Sequence, residues 1–196
     1  MPKKRPVFVI PGFRQTPKNK AYREISKLLV SEGFQPFLMD MSWKKRTVSK
    51  NTEYFLKEYK KIRNSKKNIL GFSYGAMIAF LASTKVEVDT LILCSLSPYF
   101  QEDVMHKRIP RSPIQADRHS DFSKLNSTEL AKKIKARQIL MLYGSKEAKS
   151  LVRRVVETFD DIKLSKKQLL RIKKTEHNIG DKRYLQTIHE VARTLN

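Results

Sequence analysis

Cysteine is all but absent. Cys94 is the single one in 196 residues, so no internal disulfide can form. It sits in the apolar run Leu91-Ile92-Leu93-Cys94, which predicts a buried, inert thiol rather than a nucleophile. No apolar run approaches the ~20 residues needed to cross a bilayer. The stretch Met1 to Pro6 is basic, but Val7-Phe8-Val9-Ile10 is too short for a signal-peptide core, and a cytoplasmic location is the expectation. Repeats, low-complexity tracts and interdomain linkers are lacking too, so residues 1–196 read as one domain with a sizeable core. No ligand set for a metal or a cofactor is read.

Acidic residues are the remaining shortage: 19 Asp and Glu stand against 41 Lys and Arg, a formal charge of +22. A field of this sign attracts polyanions. The basic groups are dispersed, however, in Lys44-Lys45-Arg46, Lys60-Lys61, Lys66-Lys67, Lys132-Lys133, Arg153-Arg154, Lys166-Lys167 and Lys173-Lys174. They carry no nucleic-acid motif and no ordered interleaving with aromatics. A generally basic, solvated surface is therefore expected ahead of a nucleic-acid site, with anionic substrates or membrane surfaces as other beneficiaries. The oligomeric state is not legible.

What the chain does have is a regular alternation. Val7–Ile10, Pro36–Met41, Asn68–Leu70, Val88–Leu96, Gln138–Tyr143 and Lys167–Ile172 read as strands. Helical spacing appears between them, as in Tyr22, Ile25, Leu28 and Leu29, and again in Tyr184, Ile188, Val191 and Leu195. About six strands alternating with about six helices predict an α/β fold, an open and mostly parallel sheet with helices on both faces. The flanking lysines make Lys167–Ile172 an edge strand. Between residues 97 and 135 the rhythm breaks at Pro98, Pro110 and Pro113, giving an irregular insertion with one or two short helices, a candidate small cap.

The third strand runs into Gly71-Phe72-Ser73-Tyr74-Gly75 and then into the apolar stretch Ala76 to Ala82. Strand, sharp turn and helix place one serine at an apex, where a strained backbone lifts its hydroxyl clear of the sheet. Such a serine needs a base, an acid that orients the base, and donors for an oxyanion. Of four histidines, His106 and His119 lie in the insertion and His189 in the last helix. His177 follows the last strand, on the same rim as Ser73, and is the candidate base. Glu147 follows the fifth strand and leads among the acids, with Glu102, Asp103, Asp117, Asp121 and Glu176 as rivals. The backbone amides of Tyr74 and of Phe13, in the turn Pro11-Gly12-Phe13, are the candidate oxyanion donors.

With these residues in place the chain resembles the α/β-hydrolase superfamily over nearly its full length. The elbow around Ser73, the turn at Pro11-Gly12-Phe13, Glu147 and the late His177 follow that family's order of nucleophile, acid and histidine. Two departures stand out: the acid is Glu where the family more often has Asp, and Pro11 stands where many members carry His. The resemblance implies a small, compact serine hydrolase with little or no lid, whose first strand corresponds to the family's third, the first two being missing. It implies acyl transfer to water from a small ester or thioester through an acyl-enzyme on Ser73. Phe13, Tyr74 and Tyr99 are candidate substrate-binding residues, with Phe100 and Met105 as further pocket candidates; core or surface roles suit Tyr99, Phe100 and Met105 equally. The competing expectation is a catalytically inactive hydrolase-fold binding protein that engages an anionic partner through its basic surface.

Overall fold

A computed structural model describes residues 4–44, 46–64 and 66–195. Met1 to Lys3 of the basic amino terminus and Lys45 of the cluster at Lys44 therefore lie outside the described residues. The described elements are β1 (Arg5–Ile10), α1 (Lys20–Ser31), β2 (Phe34–Leu38), α2 (Val48–Lys61), β3 (Asn68–Phe72), α3 (Tyr74–Ser83) and β4 (Val88–Cys94). They continue with α4 (Gln101–Val104), α5 (Pro113–Phe122), α6 (Ser127–Ala131), β5 (Ala136–Gly144), α7 (Lys149–Asp161), β6 (Lys167–Ile172) and α8 (Lys182–Thr194). Among the described residues no helix is long and apolar enough to cross a membrane.

The strands form one six-stranded sheet in the order β2-β1-β3-β4-β5-β6. Every neighbouring pair is parallel. Both faces are covered, which explains why the central strands are apolar without interruption. Side chains alternate across a strand, so Val7, Val9, Leu70, Phe72, Ile92 and Leu142 pack on one side with Tyr22, Ile25 and Leu29 of α1 and Tyr184 and Ile188 of α8. Phe8, Ile10, Ile69, Leu91, Leu93 and Met141 pack on the other with Phe55 and Tyr59 of α2, with α3, and with Val155 of α7. Helix α3 is buried at every position from Gly75 to Ser83. It has no solvent face, hence no polar stripe.

The chain runs outward from β1 to β2 and then returns to lay β3 along the other side of β1. In open α/β sheets the crevice at such a reversal, outside the carboxyl ends of the strands, is where ligands bind. Ser73 and the Pro11-Gly12-Phe13 turn both lie there, beyond the paired ends of β3 and β1.

Three expectations need correction. The second strand is Phe34–Leu38, earlier than Pro36–Met41, because Gly33 turns the chain at φ 78° and pairing with β1 begins at once. The fourth strand stops at Cys94, not Leu96, because Ser95 takes φ 51° and leaves the extended region. The insertion carries three short helices, α4, α5 and α6, rather than one or two. Two of them have only four and five residues, too few to show a helical period.

Candidate active site

The elbow is sterically closed. Ser73 takes φ 57° and ψ −118°, a backbone state that costs a non-glycine residue about 1–3 kcal/mol. A Cβ on Gly71 would come within 2.3 Å of the Gly75 carbonyl oxygen, and one on Gly75 within 2.2 Å of that of Ile10. No L side chain fits at either position without a shift of the backbone, so the two glycines of Gly-x-Ser-x-Gly are a packing requirement of this turn. The strain projects the Ser73 hydroxyl toward the sheet's carboxyl rim and sets it at the amino terminus of α3, where the helix dipole favours negative charge.

Ser73 Oγ lies 3.0 Å from His177 Nε2 and 3.0 Å from Ser97 Oγ. His177, in the loop after β6, stacks on Phe72 with ring centroids 4.8 Å apart. Its Nδ1 faces Glu147 Oε1 at 3.5 Å, long for a hydrogen bond but within ion-pair range. The Glu147 side chain is fully buried while that of His177 is 41% exposed. A carboxylate held out of water needs donors. The Ser95 hydroxyl supplies one to Oε1 at 2.5 Å, and Ser95 Oγ in turn lies 2.8 Å from the Tyr184 hydroxyl. Among the described residues Glu147 Oε2 has no partner. Complete burial pushes the Tyr184 phenol well above its usual range, so it stays protonated and able to donate.

The rival acids are occupied elsewhere. Asp103 pairs with Arg154 at 2.9 Å through both oxygens. Glu102 accepts from the amide and hydroxyl of Ser127, and Asp121 from the amide of Ser49. Glu176 and Asp117 are exposed. Of the other histidines, His119 Nε2 lies 3.2 Å from the Val104 carbonyl oxygen and His189 pairs with Glu32 on the helical surface.

At the oxyanion position the Gly12 amide is taken, donating to Gln15 Oε1 and the Tyr22 hydroxyl. The next amide, that of Phe13, has no acceptor among the described residues. Tyr74 opens α3, and an amide at that position has no carbonyl one turn earlier to receive it. Gln15 thus fixes the turn so that Phe13, rather than Gly12, offers a free N–H.

A cleft of about 500 Å³ opens over these groups, lined among others by Phe13, Ser73, Tyr74, Ser97, Tyr99 and His177. Its aromatic wall continues outward. Tyr74 lies 5.1 Å from both Phe13 and Tyr99, and Tyr99 lies 5.3 Å from Phe122 of the insertion. Burial against these rings raises the Tyr74 phenol pKa, Tyr99 adds to the rise, and Arg118 opposes it. Phe100 and Met105 are not part of the wall: Phe100 is buried against Phe80 in the core, and Met105 is exposed.

No family model and no curated protein sequence matches the chain. Solved structures do. Est1E from Butyrivibrio proteoclasticus, with ferulic acid bound, superposes with a TM-score of 0.83 at 16% identity, covering 98% of this chain and 88% of its own. Mouse alpha/beta hydrolase domain-containing protein 10 gives 0.76 at 15%, covering 98% and 90%. The monoacylglycerol lipase of Paleococcus ferrophilus gives 0.72 at 14%, covering 97% and 95%. The fold is that of the α/β hydrolases.

Within this hydrolase fold two polar residues at the centre escaped the sequence reading, Ser95 and Ser97. Both follow β4 directly, and that position at a strand's carboxyl end was the available signal. As residue types they look like ordinary turn serines.

Proposed function

We propose that the chain is a serine hydrolase of carboxylesterase or thioesterase type, acting on small acyl substrates. The observation that supports this most is the approach of His177 Nε2 to Ser73 Oγ at 3.0 Å, with a buried carboxylate on the ring's other nitrogen. In the neutral imidazole, Nδ1 carries its proton toward Glu147 and Nε2 is free to accept the Ser73 proton. Ser97 then serves as donor to Ser73 Oγ, which leaves the Ser73 proton directed at the base.

The acyl carbonyl sits above Ser73, with its oxygen at the amides of Phe13 and Tyr74. Oγ bonds to the carbonyl carbon as its proton passes to His177, and the developing oxyanion is held by those two N–H groups. The imidazolium, stabilised by Glu147, returns the proton to the departing alcohol or thiol, leaving an ester on Ser73. Water repeats the cycle in the second half: His177 takes its proton, the carbonyl carbon is attacked, and Ser73 is released with a carboxylic acid as the second product.

A fluorophosphonate probe tests the reading. The wild type should be labelled and should turn over p-nitrophenyl esters, whereas Ser73→Ala should be folded and silent. An unlabelled wild type that hydrolyses no ester or thioester sinks the proposal.

A further inference from the structure

Beyond the aromatic wall lies a second cavity of about 320 Å³, which shares Phe13, Tyr74 and Tyr99 with the catalytic cleft. Part of its lining is cationic. Arg14, Lys107, Arg108 and Arg118 line it, and no Asp or Glu does. None of these four makes an ion pair among the described residues. Their charges share one cavity although like charges repel, and aromatic rings hold three of them there. Arg14 and Arg118 lie 5.2 and 4.9 Å from the Phe13 ring centroid, and Lys107 lies 5.6 Å from that of Tyr99. Cations over ring faces are stabilised by the ring quadrupole, which partly replaces a missing carboxylate. Arg118 also donates to the Trp43 carbonyl.

We infer that the substrate acted on at Ser73 carries a phosphate group, which Arg14, Lys107, Arg108 and Arg118 hold in this second cavity. The inference rests on the acyl-hydrolase reading of the cleft and goes beyond it for the cavity. The aromatic walls lower the local dielectric beside Arg14 and Arg118 and so strengthen their field there, while the exposed Lys107 and Arg108 add to it from the solvent side. Planar guanidinium groups match phosphate oxygens two at a time, and several converging cations suit a dianion better than a single carboxylate. The phosphate is a handle only: its own ester bond is untouched, and the bond cleaved is the acyl ester over Ser73. The shared wall of Phe13, Tyr74 and Tyr99 requires that handle and ester be close neighbours in one molecule.

Matched substrate pairs test this. One pair is 1-butyrylglycerol with and without a 3-phosphate; the other is p-nitrophenyl hexanoate with and without a terminal phosphonate. The phosphorylated member of one pair should show kcat/KM higher by at least about tenfold, carried by KM and eroded by salt. Which pair responds tells whether the alcohol or the acyl side enters the cavity. Arg118→Gln, and separately the double variant Lys107→Gln with Arg108→Gln, should collapse that ratio. Equal rates within both pairs, from an enzyme that turns over the neutral esters, overturn the inference while leaving the hydrolase reading intact. If instead no ester is cleaved and no probe labels Ser73, the hydrolase reading fails, and the cavity is judged by binding alone. Trp43, the only tryptophan, reports on it: saturable quenching by inorganic pyrophosphate that is lost in Arg118→Gln supports the phosphate site, and unchanged fluorescence overturns it.

Discussion

Glu147 places a negative charge where its side chain has no exposed surface, and among the described residues Ser95 and His177 are the polar partners of its Oε1. The arrangement is asymmetric: the Ser95 bond at 2.5 Å is short, while His177 Nδ1 is 3.5 Å away. Ser95 therefore anchors the carboxylate, and in the proposed mechanism His177 draws on its charge only when the ring becomes an imidazolium. A neutral amide of the same shape keeps the Ser95 bond and loses that charge, so Glu147→Gln should stay folded yet lose about 10³–10⁴ in kcat with KM little changed. A loss below about tenfold would mean that another carboxylate orients the ring. Ser73, His177 and Glu147 could be singled out in the sequence because chain order and strand ends constrain where such residues meet. Ser95 and Ser97 share a strand-end position, but what sets them apart from ordinary turn serines is the positive φ of Ser95 and side-chain directions that no local pattern encodes.

The strands were legible because each is a continuous apolar run bounded by turn residues, as in Val7–Ile10 before Pro11-Gly12, and a sheet covered on both faces demands such runs. The insertion was not, since α5 is polar on most faces and α4 and α6 are shorter than two turns. What positions it is a polar clamp rather than a periodic apolar stripe. Arg154 of α7 reaches Asp103 of α4 through Nε and Nη2, both at 2.9 Å, and Ser127 of α6 through Nη1 at 2.7 Å. It is buried, the only Lys or Arg that is among the described residues. Removing Arg154 leaves the buried Asp103 with the exposed Arg153 at 3.9 Å and the Phe100 amide, a weak compensation, so Arg154→Ala should destabilise the fold by about 3 kcal/mol. Replacing both, as Arg154→Met with Asp103→Leu, should recover much of that, short of the bond from the Phe100 amide to Asp103. Urea unfolding of the two variants beside the wild type measures it. A single variant within about 1 kcal/mol of wild type would show that apolar packing of Phe100 and Phe122 alone seats the insertion.

At the scale of the whole molecule the charge of +22 has a cost that the fold must carry. Burial removes almost none of it, since every described Lys and Arg other than Arg154 keeps some contact with solvent. Several of the ion pairs that do form are exposed contacts within single helices, such as Lys61 with Glu58 and Lys132 with Glu129. Pairs of this kind contribute at most a fraction of a kcal/mol, and salt screens them. Repulsion among the unpaired cations acts over longer distances, and it too fades once the screening length falls to about 8 Å at physiological ionic strength. The two effects oppose each other, and the imbalance of 41 basic against 19 acidic residues decides the sign. Raising sodium chloride from about 20 to about 300 mM should therefore stabilise the protein. If screening recovers about 1 kcal/mol, Tm should rise by about 2–4 °C for a chain of this size. Differential scanning calorimetry across that range reads the shift directly. A flat or falling Tm would mean that the dispersed cations already sit far enough apart, or close enough to carboxylates, for their repulsion to be spent.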